Sequence, residues 1–226
     1  MSQNAAYDQT FEKIAETMKA TLSGASNAHP GPLGAVVLGG PGSGKVAGFR
    51  AAAAKTASDL GLKFLQNPAV DGAIVIGGKD LVFISIELPT PEKKGFSFGV
   101  DARTEEEAKA AHKILTRVLE AAKNASAVVL VLDDLTELAP NVSNAVISSI
   151  EPESLARLGL SNVFVGATGP QGANVPVAVK GRFTIHTLDS GLSGKPSVDR
   201  IRLQPSDAEK NATQVDGLPS KPKSSL

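Results

Sequence analysis

Apolar positions along the chain alternate between two periods. From Phe11, the residues Phe11, Ile14, Met18 and Leu22 recur at steps of three and four, the spacing of one helix face. Leu33–Leu38 (LGAVVL) is a short unbroken apolar run and reads as a buried strand. A Gly-rich turn at Gly39–Gly44 follows, then an Ala-rich helix over Lys45–Leu60 with Gly61 as its C-terminal cap. Leu62–Leu65 is a further short strand. Ala73–Ile76 and Asp80–Ile86 flank Gly77-Gly78 and predict a β-hairpin. Thr104 with Glu107 three residues later has capping-box spacing, and a helix to about Lys123 follows. Ala127–Leu132 (AVVLVL) carries the strongest buried-strand signal. Val142–Ile150 reads as a short helix, Asn162–Ala167 and Phe183–Leu188 as strands. Ser23–Pro32 is loop by composition.

Strands alternating with helices predict an α/β sandwich on a mostly parallel sheet. Leu33–Leu38 and Ala127–Leu132 lack polar alternation, as strands covered on both faces should. The domain reading is an N-terminal helix and loop over 1–32, an α/β domain over 33–203 and a disordered tail over 204–226. In that tail Ser, Pro, Lys, Asp and Gly dominate and periodicity is lost.

Composition narrows the chemistry. Lys plus Arg and Asp plus Glu both number 23, so net charge is zero and bulk attraction to nucleic acid is excluded. Only 4% of the 226 residues are aromatic, none of them Trp, which argues against a base-stacking platform. Cysteine is absent, so there is no thiolate metal site, disulfide or Cys nucleophile. That fits a reducing, cytoplasmic setting. No apolar run reaches the ~18 residues of a membrane span, and Met1–Gln9 lacks the features of a secretory signal. His29, His112 and His186 are scattered without ligand spacing.

Gly39–Val46 (GGPGSGKV) matches G-x-x-x-x-G-K, entered by an apolar strand and left by a helix. In that setting Gly39, Gly40, Pro41, Gly42, Ser43 and Gly44 would turn backbone N–H groups onto phosphate oxygens. The helix N-terminus adds its positive dipole end, and Lys45 reaches the outer phosphates. The last position of the pattern is normally a hydroxyl residue that binds Mg²⁺; here it is Val46. Val128–Asp134 (VVLVLDD) is an apolar strand ending in acid. Asp133 is the metal-side candidate and Asp134 stands where a general base would.

These segments resemble the MoxR-like branch of the AAA+ ATPases, from about Leu33 to Leu188. Gly39–Val46 is similar to that family's G-P-P-G-x-G-K-[ST], and Asp133–Ala145 (DDLTELAPNVSNA) to its D-E-L-x-x-x-P-x-V-Q-x-A region. Asn162–Pro170 (NVFVGATGP) resembles the strand ending in the sensor Asn-Pro. Gly172–Val175 and then Gly181-Arg182-Phe183 resemble the approach to an R-F finger, and Ala73–Ile86 with Leu88-Pro89 resembles a hairpin insert. The resemblance implies a P-loop NTPase fold, ATP with Mg²⁺, and a hexameric ring or hetero-oligomer that remodels a protein client. It gives Lys45 to phosphate, Asp133 to Mg²⁺, Asp134 to the role of the catalytic Glu, and Arg182 to the arginine finger. Val46, the shorter Asp134, Gly169 in place of the sensor Asn, and no helical lid after Leu188 depart from the pattern. They predict weakened hydrolysis, or a non-catalytic nucleotide-binding subunit as the alternative.

Overall fold

The structure is a computed structural model, and it describes residues 3–24, 33–66, 76–87 and 102–188. Met1–Lys195 forms one compact unit. Pro196–Leu226 is a second unit and lies outside the described residues, as does the expected tail.

Six strands form one parallel sheet: β1 (Gly34–Leu38), β2 (Lys63–Gln66), β3 (Asp80–Glu87), β4 (Ala127–Asp133), β5 (Val163–Gly169) and β6 (Phe183–Thr187), in the order β2-β3-β4-β5-β1-β6. All five pairings are parallel. The helices are α1 (Gln3–Leu22), α2 (Lys45–Asp59), α3 (Ala102–Ala121), α4 (Pro140–Ser149), α5 (Pro152–Arg157) and α6 (Val177–Lys180), with one 3₁₀ turn at Leu135–Glu137.

Side-chain alternation in the strands sorts the core into two halves. Ala35, Val37, Leu81, Phe83, Val129, Val131 and Phe164 face α1 and α2, where Phe11, Ile14, Met18, Phe49 and Ala53 meet them. Val36, Leu38, Val82, Ile84, Val128, Leu130, Leu132 and Val165 face α3 to α6. Both faces of the central strands are therefore apolar, which explains the unbroken runs read from the sequence. The result is the expected three-layer α/β sandwich.

Two expectations need correction. Asp80–Ile86, expected as the second arm of a hairpin, is strand β3, running parallel to β2 on one side and to β4 on the other. Residues 67–75, with most of the expected first arm, lie outside the described residues. The Gly77–Asp80 turn is a strand entry: the Gly77 N–H donates to Asp80 Oδ2 at 2.7 Å. Helix α3 begins at Ala102, so Thr104 lies inside its first turn rather than at the cap.

Candidate functional site

The C-terminal ends of β1, β4 and β5 bring the site together. Leu38 is in register with Gly169, and Leu132 with Ala167, so Gly39, Gly169-Pro170 and Asp133-Asp134 emerge side by side. The Gly39 N–H donates to Gly169 O at 3.1 Å, fastening the start of the loop to β5. The loop then turns with Gly42 at φ 70° and Gly44 at φ 74°, a left-handed region where a Cβ is strained. The Ser43 N–H donates back to Gly40 O at 3.2 Å. Gly44 is the N-cap of α2, so the loop runs directly into the helix N-terminus.

A cleft of about 460 Å³ opens there, lined by Gly39 and Pro41–Ala47 on one side and by Asp133, Asp134, Glu137 and Pro170 on the other. Lys45 Nζ donates to Gly39 O at 3.0 Å and Gly40 O at 3.3 Å. Among the described residues it has no ion-pair partner within 4 Å, although its charge acts on Asp134. Its neutral partners leave the ammonium free to exchange them for an anion.

The acid wall is built differently. Thr168, fully buried at the end of β5, donates its hydroxyl to Asp133 Oδ1 and accepts the Asp134 N–H at 3.0 Å. Asp134 is the one non-glycine residue at positive φ (56°) among the described residues. Its carboxyl is held above the usual range, first by desolvation, then by Asp133 and Glu137; Lys45 opposes the shift and Glu87 adds to it. Glu87 is in register with Asp133 across β3 and β4.

Gly169, at the position matched to the sensor Asn, has no space for a side chain. A Cβ there would collide with Thr136 Oγ1, with Thr136 Cβ and Cγ2 at 3.0 Å. The segment supplies instead the Thr168 hydroxyl one residue earlier.

The residues present suit a phosphate chain. Cβ atoms at Gly40 and Gly42 would meet nothing within 4 Å, the Ser43 hydroxyl is buried without a partner, and Lys45 is the adjoining cation. For Mg²⁺ the protein side offers Asp133 and Asp134 but no hydroxyl after Lys45, where Val46 packs with the apolar residues between α1, α2 and the sheet. Among the described residues no group of three His, Asp or Glu converges as a metal cage. A cation here would depend on phosphate oxygens and water for its remaining ligands.

Seven of the eight expected loop residues, all but Gly40, and both aspartates thus line one cleft. Arg182 is not. It precedes β6, whose first residue pairs with Gly34 at the start of β1, so it sits at the opposite end of the strands from Gly39. There it pairs with Glu151 at 2.7 Å and donates to Ala178 O at 3.4 Å. Thr168, Glu137 and Glu87 escaped the sequence reading; a hydroxyl residue closing the run Val163–Ala167 was the available signal for the first. Of the histidines, His112 contacts Ser149 Oγ at 2.7 Å, and burial lowers the pKa of His186. His29 lies outside the described residues.

No protein-family model matches the chain, and no curated protein matches it in sequence. Solved structures do match. The structure of C. elegans PCH-2 superposes with a TM-score of 0.51 at 14% identity, covering 80% of this chain and 42% of that one. A chain of the E. coli MS115-1 HORMA:CdnC:Trip13 complex gives 0.52 at 16%, covering 80% and 62%. The chain therefore spans between two fifths and two thirds of these neighbours' length. With the parallel sheet and the glycine loop at the end of β1, the likeness shows the fold of this chain: a P-loop-like three-layer α/β sandwich shared with these neighbours.

Proposed function

We propose that the chain is a nucleotide-binding AAA+ protein of remodelling type, with ATP phosphates on Gly39–Val46 and weakened hydrolysis. The observation that carries this reading is the placement of Lys45. It stands in the cleft between the glycine loop and the Asp133–Asp134 wall, held only by carbonyls. The MoxR-like assignment rests on the ordered sequence motifs alone: Gly39–Val46, Asp133–Ala145 and Gly181–Phe183.

In this reading Lys45 and the loop amides bind and orient the phosphates, and the α2 N-terminus favours their charge. Asp133, oriented by Thr168, and Asp134 face any cation bound with them. A bound Mg²⁺ would neutralise charge on the phosphate oxygens. Asp134 is placed to take a proton from water, but its carboxylate is one methylene shorter than Glu and its backbone is fixed by Thr168. Arg182 lies at the far end of the strands from its own cleft, so a phosphate it meets belongs to a second copy. Ring assembly follows from that role, and a protein client and a cytoplasmic location complete the reading. No described helix is long and apolar enough to cross a membrane.

A second reading, a nucleotide-binding subunit without turnover, is favoured by the lack of room for a side chain at Gly169 and the packing of Val46. Titration of a fluorescent ATP analogue tests the shared premise. Lys45→Ala should weaken binding by about 100-fold, the loss of a charge-assisted contact, with circular dichroism unchanged. Equal affinity in the variant overturns the phosphate-loop reading. EDTA should change wild-type affinity little. Phosphate release then separates the readings: slow turnover supports the first, and none above background the second.

A further inference from the structure

The phosphate loop has a brace that its sequence pattern does not contain. Tyr7, in the second turn of α1, donates its hydroxyl to Gly44 O at 3.0 Å. Gly44 is the left-handed N-cap of α2, immediately before Lys45, and its carbonyl also accepts the first helical bond, from the Gly48 N–H at 2.8 Å. One carbonyl thus joins the loop, the first turn of α2 and α1.

The rest of the contact keeps that hydroxyl in place. The Tyr7 ring lies 4.8 Å from Phe11, and Phe11 lies 5.7 Å from Phe49 in an edge-on contact. Phe11 is seated against Gly48, where a Cβ would collide with its ring. The result is an aromatic ladder from α1 to the first turns of α2, buried except at Tyr7. Burial pushes the Tyr7 hydroxyl pKa up to about 12, with Asp8 adding to the shift, so it stays a donor at working pH.

We propose that Tyr7 is a positioning residue for the phosphate loop, coupling the docking of α1 to phosphate affinity. The inference rests on the phosphate-loop reading above and deepens it. Tyr7 would touch no phosphate. It holds the Gly44 peptide, and with it the turn of the loop into α2, in one orientation before a ligand arrives. Linkage makes the coupling reciprocal: whatever displaces the start of α1 weakens phosphate binding, and phosphate binding tightens α1.

The test uses the full chain, Tyr7→Phe and Lys45→Ala, with tripolyphosphate and ATP as separate probes. Tyr7→Phe keeps the ring ladder and removes only the hydroxyl. Affinity for both probes should fall by the same factor, roughly 3- to 10-fold for one uncharged hydrogen bond. Amide exchange at residues 44–48 should quicken in the ligand-free protein, while the melting temperature moves by only a few degrees. A purely structural hydroxyl would lower the melting temperature and leave both affinities unchanged, which overturns the proposal. Loss of ATP affinity with tripolyphosphate unchanged also overturns it, since Tyr7 would then serve the nucleoside. If Lys45→Ala abolishes tripolyphosphate binding and Tyr7→Phe does not alter it, this inference fails while the phosphate-loop reading stands. If wild type binds neither probe, both fail.

Discussion

The two walls of the cleft are made of different materials. The Gly39–Lys45 wall is almost wholly backbone: its shape comes from glycines at positive φ, from Gly39 fastened to Gly169, and from the start of α2. The facing wall is made of side chains. Asp133 and Asp134 are held by Thr168, and the packing of Thr136 closes the space at Gly169. A backbone cradle survives sequence change as long as its glycines stay. A wall of side chains changes chemistry with each substitution. One half matches the G-x-x-x-x-G-K pattern position by position, and the other is organised around a threonine.

The sharpest way to break the contrast is to put the missing amide back. Gly169→Asn should destabilise the protein by about 3 kcal/mol, near the upper end for overpacking a filled interior, as read by urea unfolding. Thr136→Ala removes two of the three colliding atoms and should recover part of that loss in the double variant. If Gly169→Asn alone folds at full stability and raises phosphate release, the acid wall was merely short of one group and the contrast collapses.

A smaller effect is expected one residue earlier. Thr168→Val keeps the shape but orphans the Asp134 N–H and frees Asp133. The cost should be about 1–2 kcal/mol in unfolding free energy. Nucleotide affinity should change much less than in Lys45→Ala, because the cradle is untouched. Equal losses in binding would show that the two walls act as one unit.

The smallest effect belongs to Asp134. Its carboxyl titrates above the ordinary range, so the folded chain holds that proton more tightly than the unfolded chain. This contribution favours the fold below the ordinary carboxylate pKa and is lost as pH rises through the raised value. Asp134→Asn tolerates the same left-handed backbone and removes a charge that Asp133 and Glu137 oppose. It should raise the melting temperature at neutral pH and give no gain in acid. A gain independent of pH would place the effect in the backbone rather than the charge.

Much of this was readable in advance because it is periodic or glycine-dependent. The runs Leu33–Leu38, Ala127–Leu132 and Asn162–Ala167 are strands β1, β4 and β5 within one or two residues, since a strand covered on both faces has no polar alternative. The start of α2 at Lys45 followed from the loop pattern. The strand β3 was misjudged because Gly77-Gly78 between two β-branched runs fits a hairpin locally. Only its neighbours, β2 and β4, reveal it as a parallel strand. Thr168 and Tyr7 were invisible for a related reason. Each acts on residues more than 30 positions away, and a hydroxyl carries no mark in sequence of where its partner will be.

The position of β1 has a consequence for how the protein is made. Its neighbours are β5 and β6, strands translated some 130 to 150 residues after it, and Leu38 O receives the N–H of Leu188. Chain that has left the ribosome only as far as α4 contains the whole glycine loop and neither of the strands that flank β1. Pairings of such sequence separation form late and slowly. The apolar edge of β1 must therefore wait, exposed, for the last strands, and a break in synthesis before Phe183 would release a chain with its loop complete and β1 still lacking one neighbour.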